Sequence, residues 1–187
     1  FYDAAQTITM SAGAGDIYYT TDGSIPNKKS LKYSGPLTIN KTTSLRARVI
    51  ESGKFAGKVA TNTYFIGEKK RSLMTINIST DTSWLYDKDN GVFENSLKGR
   101  ELPVAMEFFT TEGEQIVKVN AGLRLGSLTN FTCPQKPLQV ALKGGKYGDD
   151  CIWNQLFDRQ AACFVGVRLR QGGDAWGSNL IADGLLE

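Results

Sequence analysis

Turns set the rhythm of this chain. Through its first 66 residues, short runs of alternating polarity are broken repeatedly by Gly, Pro and Asp. Thr7-Ile8-Thr9-Met10 alternates as a half-buried strand does. Asp16-Ile17-Tyr18-Tyr19-Thr20 is rich in β-formers and runs into Thr21-Asp22-Gly23-Ser24, where Gly adopts positive φ without a Cβ clash. Pro26-Asn27 extends that loop. Ser34-Gly35-Pro36 turns the chain before a short strand, Leu37-Thr38-Ile39. Ser44 to Ile50 alternates cleanly, Ser52-Gly53 turns again, and Ala60 to Ile66 supplies a last strand. Strands this short and this closely spaced predict a small β-sandwich.

The polar, charged stretch 67–72 then reads as a linker, dividing the chain into 1–66 and 73–187. Beyond it, Leu73 to Ile78 is strand-like, and Asp81 is placed to cap a helical turn through Ser83-Trp84-Leu85-Tyr86. Leu102 to Phe109, the turn Thr111 to Glu114, and Gln115 to Leu125 read as a hairpin. Leu138 to Lys143 and Phe164 to Arg170 alternate strictly. Helix signals are confined to Ile152–Asp158 and to a segment from Asn179 onward, capped by Ser178. The expected class is mainly β: an Ig-like sandwich followed by a β-rich α+β region.

Composition removes several kinds of chemistry. Histidine is absent, which excludes Ser-His-Asp triads, Cys-His pairs and most zinc sites. Acid–base work falls to Asp, Glu, Lys, Tyr or Cys. The net charge of +3 is scattered apart from Lys69-Lys70-Arg71, a run read as solvated linker. No basic stripe interleaves with aromatics, so nucleic acid is not an expected partner. No apolar run is long enough to span a bilayer. The chain opens on Phe1 and stops at Glu187 inside a helix-like pattern, so both ends read as cuts in a longer protein, and the lack of a signal peptide carries no weight. Cys133, Cys151 and Cys163 form no CxxC pair. A single disulfide, with Cys151 and Cys163 nearest in sequence, and three free thiols both remain open.

Two stretches carry resemblances. Ile17-Tyr18-Tyr19-Thr20-Thr21-Asp22-Gly23-Ser24-Ile25-Pro26, Ser30, Tyr33-Ser34-Gly35-Pro36 and Leu45-Arg46-Ala47 resemble the chitobiase/β-hexosaminidase C-terminal-type module, also called the Fn3-associated domain. That resemblance implies an Ig-like sandwich attached to secreted bacterial proteins, with no catalytic role. Tyr18-Tyr19 reads either as core packing or as a platform for a glycan.

From Leu73 onward the chain is similar to the opening of the CotH kinase family, named for a spore-coat protein. The likeness rests on Leu73 to Ile78, Asp89-Asn90-Gly91-Val92-Phe93, Pro103 to Phe109, Gly122-Leu123-Arg124-Leu125-Gly126, Gln135-Lys136-Pro137-Leu138, Lys146-Tyr147-Gly148, and Leu169 to Asp174 leading into Ile181 to Glu187. The resemblance implies a secreted or surface protein with a kinase-like fold that phosphorylates serine on a partner protein using ATP and Mg²⁺. A fixed cation near the phosphates is then needed. Lys136 sits where the family has its Lys-Ser-Leu pattern, while Lys143 closes Val140-Ala141-Leu142-Lys143, which looks like an ordinary kinase motif. Arg124, Arg170 and Asp183 match positions implied to line the cleft, with Asp183 or Glu187 as a carboxylate partner for the lysine.

The chain departs from the family pattern twice. Ser127 to Pro134 lacks an Arg common there, and Ala182 replaces another. The metal-binding and base aspartates are expected past Glu187, so this segment alone is not expected to catalyse phosphoryl transfer. The rival expectation is a non-catalytic surface protein that binds a protein or glycan. Gly144-Gly145 and Gly172-Gly173 read as turns, not phosphate loops.

Overall fold

A computed structural model describes residues 1–95, 99–126, 136–153, 156 and 163–169. The fold is mainly β, as expected. The chain divides into two compact units. The first comprises Phe1–Thr82 with Ala105–Val119, and the second comprises Ser83–Val104 with Asn120–Glu187.

In the first unit, β2 (Asp16–Thr20), β3 (Leu31–Lys32), β5 (Thr43–Ile50) and β6 (Ala60–Tyr64) form a four-stranded sheet in the order β3-β2-β5-β6. β1 (Gln6–Ile8) and β4 (Leu37–Ile39) pair separately. Period 2 gives the larger sheet two faces. Ile17, Leu45, Ala47, Val49, Ala60 and Tyr64 share one of them, which lines a cavity of about 260 Å³ together with Ile8 and Met10. The other face carries Ser44, Arg46, Thr61 and Thr63. Alternation alone would assign such a face to solvent, yet Arg46, Thr61 and Thr63 are buried.

Two further strands of this unit account for that burial. β7 (Thr75–Ser79) pairs antiparallel with the Ala105–Phe109 part of β8 (Leu102–Phe109). A tight turn, with Thr110 N–H donating to Glu114 O at 2.9 Å, leads into β9 (Gln115–Leu125). β8 is buried at nearly every position, so it reads as a strand covered on both faces. The first residue joins the same core: the Phe1 ring stacks on Phe65 at 4.4 Å and meets Phe109 edge-on at 6.1 Å. At the Asp22 turn, Gly23 has φ +84°, and a Cβ there would lie 2.2 Å from Thr80 O, so both conformation and close approach require glycine.

In the second unit, β10 (Leu138–Ala141) pairs with β9 on one side and with β11 (Gly166–Leu169) on the other. α1 (Ser83–Tyr86) and α2 (Gly144–Tyr147) are single turns. Ile152, where the helix Ile152–Asp158 was expected to begin, instead forms an antiparallel bridge with Phe164, and most of that expected helix lies outside the described residues. That bridge is held beside a Cys151–Cys163 disulfide, with Cα atoms 5.8 Å apart, which settles the pairing that spacing left open. Cys133 and the expected helix from Asn179 lie outside the described residues.

Candidate functional site

Two glutamates six positions apart organise the two units. Glu107, on β8, is completely buried in the first. Its carboxylate accepts from Thr63 N–H at 3.0 Å, the Thr63 hydroxyl, Asn77 Nδ2 at 3.0 Å and Gln115 Nε2 at 2.6 Å. The Thr63 hydroxyl also meets Ser44 Oγ at 2.7 Å, and the Ser79 hydroxyl donates to Ser44 Oγ at 2.8 Å. All of these donors are neutral. A buried carboxylate is tolerable only when hydrogen bonds replace its water, and Thr63 on the polar face of the module, Asn77 on β7 and Gln115 on β9 supply them.

Arg46 shares that face and is 2 % exposed. One of its terminal nitrogens donates to Gly23 O at 2.6 Å, while its Nε has no partner. Burial pulls this guanidinium below its ordinary pKa. The neighbour opposite it on β6, Thr61, also leaves its buried hydroxyl unpaired.

Glu101, just ahead of β8, anchors the second unit. It takes Lys143 Nζ at 2.6 Å, Lys146 Nζ at 3.1 Å and the Tyr147 hydroxyl at 2.8 Å. Burial alone would raise its pKa, but the hydrogen bonds from Lys143, Tyr147 and Lys146 outweigh it and hold the carboxyl at about 2. Gly122 makes room for this cluster, since a Cβ there would lie 2.5 Å from the Tyr147 ring and 2.7 Å from the Glu101 carboxyl carbon. Lys143, Lys146 and Tyr147 stand at i, i+3 and i+4, the spacing that converges on one side of a helical turn.

These contacts sort the residues singled out from sequence. Lys143 is not on a strand. β10 ends at Ala141, and Lys143 precedes the first turn of α2, with its charge committed to Glu101. The pair Gly144-Gly145, expected as a turn, opens that helix. Lys136 is half-buried and sits at the opposite end of β10, where Pro137 O accepts from Gly126 N–H at 2.8 Å. The two lysines are separated by the length of the strand, so they do not converge on one small anion. Arg124 faces solvent on β9 and donates through Nε to Gln139 at 3.1 Å. On β11, Arg168 lies opposite the same Gln139 and is also exposed. Arg124, Gln139 and Arg168 thus form one cross-strand row toward the Lys136 end of β10. Arg170, Asp183 and Glu187 lie outside the described residues, as do the departures at 127–134 and at Ala182.

Sequence reasoning missed Glu101 and Arg168. The i, i+3, i+4 spacing of Lys143, Lys146 and Tyr147 pointed to a shared carboxylate. Arg168 was already inside an alternating run, on the polar parity.

Comparison with known proteins assigns one segment. No curated protein and no solved structure matches the chain. Residues 7–64 match the model of the family described as Fn3 associated, so the six strands β1–β6 correspond to an Fn3-associated module.

Proposed function

We propose that the chain belongs to an extracytoplasmic bacterial protein, in which the Fn3-associated module is a spacer or docking element and the residues from 73 onward are the start of a CotH-like region that binds nucleotide phosphates. The observation carrying the reading is the cross-strand row of exposed Arg124, half-buried Gln139 and exposed Arg168 near Lys136. Arg forks suit phosphate oxygens, and the half-buried lysine at the strand entrance adds a point charge. Lys143 serves instead as a clamp on Glu101.

ATP–Mg²⁺ is the expected ligand of the whole protein, and phosphorylation of serine on a partner protein its expected reaction. The triphosphate fits the cations present. The described residues hold no group of three acidic side chains for the metal, so the proposal assigns phosphate contacts only. The Cys151–Cys163 disulfide is in keeping with an oxidising compartment.

Isothermal titration of the full-length protein with ATP–Mg²⁺ tests this reading. Lys136→Ala is expected to lower affinity about tenfold or more, and Lys143→Ala to leave it within about twofold. The reverse order would move the phosphate site to Lys143. Absence of nucleotide binding in the unaltered protein would favour the second reading, a non-catalytic surface protein that binds a protein or glycan.

A further inference from the structure

The β5–β6 loop presents Phe55 entirely to solvent. Single exposed apolar residues are ordinary, but this one stands on a loop held in place from below. The Arg48 guanidinium donates through Nε to Gly57 O at 3.1 Å and through a terminal nitrogen to the same oxygen at 2.9 Å. Gly57 N–H returns a bond to Val49 O at 2.9 Å, and Lys54 N–H donates to Glu51 O at 3.3 Å. The ring is therefore displayed from a fixed base.

The same guanidinium lies 3.5 Å from Pro26 O, which brings the β2–β3 loop alongside. That loop is closed on itself: Lys29 N–H donates to Asn27 Oδ1 at 2.8 Å, and Asn27 N–H donates to Ser30 Oγ at 3.0 Å. It presents Lys28 and Lys29 to solvent, while Lys54 and Lys58 flank Phe55. Lys54 is paired with Glu51 at 3.0 Å. Two braced loops thus carry one fully exposed ring and four exposed lysines, a combination that suits a partner offering both apolar depth and negative charge.

We propose that this tip of the Fn3-associated module docks on an anionic lipid surface, with Phe55 entering the headgroup–acyl boundary and the lysines meeting phosphate groups. A single aromatic ring is a weak anchor, and four screened lysines are weak as well. Binding therefore requires both, and it is salt-sensitive.

The experiment is sedimentation of the whole chain with vesicles of phosphatidylcholine alone and with an equal admixture of phosphatidylglycerol. Binding is expected only to the anionic vesicles. Phe55→Ala should reduce it roughly tenfold, and Lys28→Ala with Lys29→Ala by a comparable factor at low salt. In Phe55→Trp, the added fluorescence relative to the unaltered protein should shift to the blue on anionic vesicles. Equal sedimentation of the unaltered protein and Phe55→Ala would overturn the proposal. So would competition by a soluble polyanion such as heparin that binds both proteins alike, an outcome that would identify an anionic polymer instead of a bilayer. Circular dichroism of each variant separates lost binding from lost folding.

Discussion

Glu107 lies on β8 and Glu101 immediately precedes it, and the two are stabilised in opposite ways. Glu107 is sealed from water and held by a backbone amide, a hydroxyl and two side-chain amides. Glu101 stays near the surface and is held by two ammonium groups and a phenol. The first arrangement depends on exact complementarity between the polar face of the Fn3-associated module and β7–β8, because each donor left without its acceptor is stranded in the interior. The second depends on charge, which water and salt can partly replace. A carboxylate's burial alone therefore does not tell how much a fold depends on it; the nature of its donors does.

The largest effect is expected at Glu107. Glu107→Ala strands the donors from Thr63, Asn77 and Gln115 and should lower stability by about 2–4 kcal/mol, read as a shift in the urea midpoint at constant slope. A loss under about 0.5 kcal/mol would mean that water replaces the carboxylate and would erase the contrast between the two glutamates.

Next comes the covalent tie in the second unit. Reduction of Cys151–Cys163, or Cys151→Ala with Cys163→Ala, should cost about 2–3 kcal/mol for a closed loop of this length. Trp84 and Trp153 belong to this unit, so tryptophan fluorescence should report the earlier transition. An unchanged tryptophan transition would show that the charge cluster and β-pairing suffice without the disulfide.

The smallest effect is expected at Glu101, and it depends on pH. Its carboxyl is held at about 2 in the fold against an ordinary 4.5. The stabilisation is therefore fully present above about pH 4.5 and lost as pH falls toward about 2. Glu101→Gln should cost about 1 kcal/mol at neutral pH, a difference that narrows through this acid window in thermal melts. A difference that is constant with pH would show that shape and not charge is what Glu101 supplies.

Much of this architecture was legible in the residues. Leu102 to Phe109 and Gln115 to Leu125 stood out because two strand-forming runs flank the Thr111 to Glu114 turn, which contains Gly113. Asp16 to Thr20 ended at an Asp-Gly signal and was found at those bounds. The edge strand Leu31–Lys32 was not legible: two exposed residues carry no period, and the pairing is helped by Tyr33 N–H donating to Ile17 O. α2 was missed because Gly144-Gly145 opposes helix by propensity. The polar face of the module misled most, since Ser44, Arg46, Thr61 and Thr63 have the parity of a solvent face and are instead covered by other strands. Glu107 did leave a trace, as the one charge in an apolar strand. Of the candidate site, Lys136 and Arg124 were named from the sequence. The separation of Lys136 from Lys143, and the pairing of Arg168 with Gln139, followed from strand register, which local pattern does not fix.

The Fn3-associated module and β7–β8 fold together through the carboxylate of Glu107. A double-mutant cycle between Thr63→Val and Glu107→Gln, measured by urea unfolding of the whole chain, tests it most directly. A coupling of about 1 kcal/mol or more is expected. Additive effects, within about 0.5 kcal/mol, would contradict it.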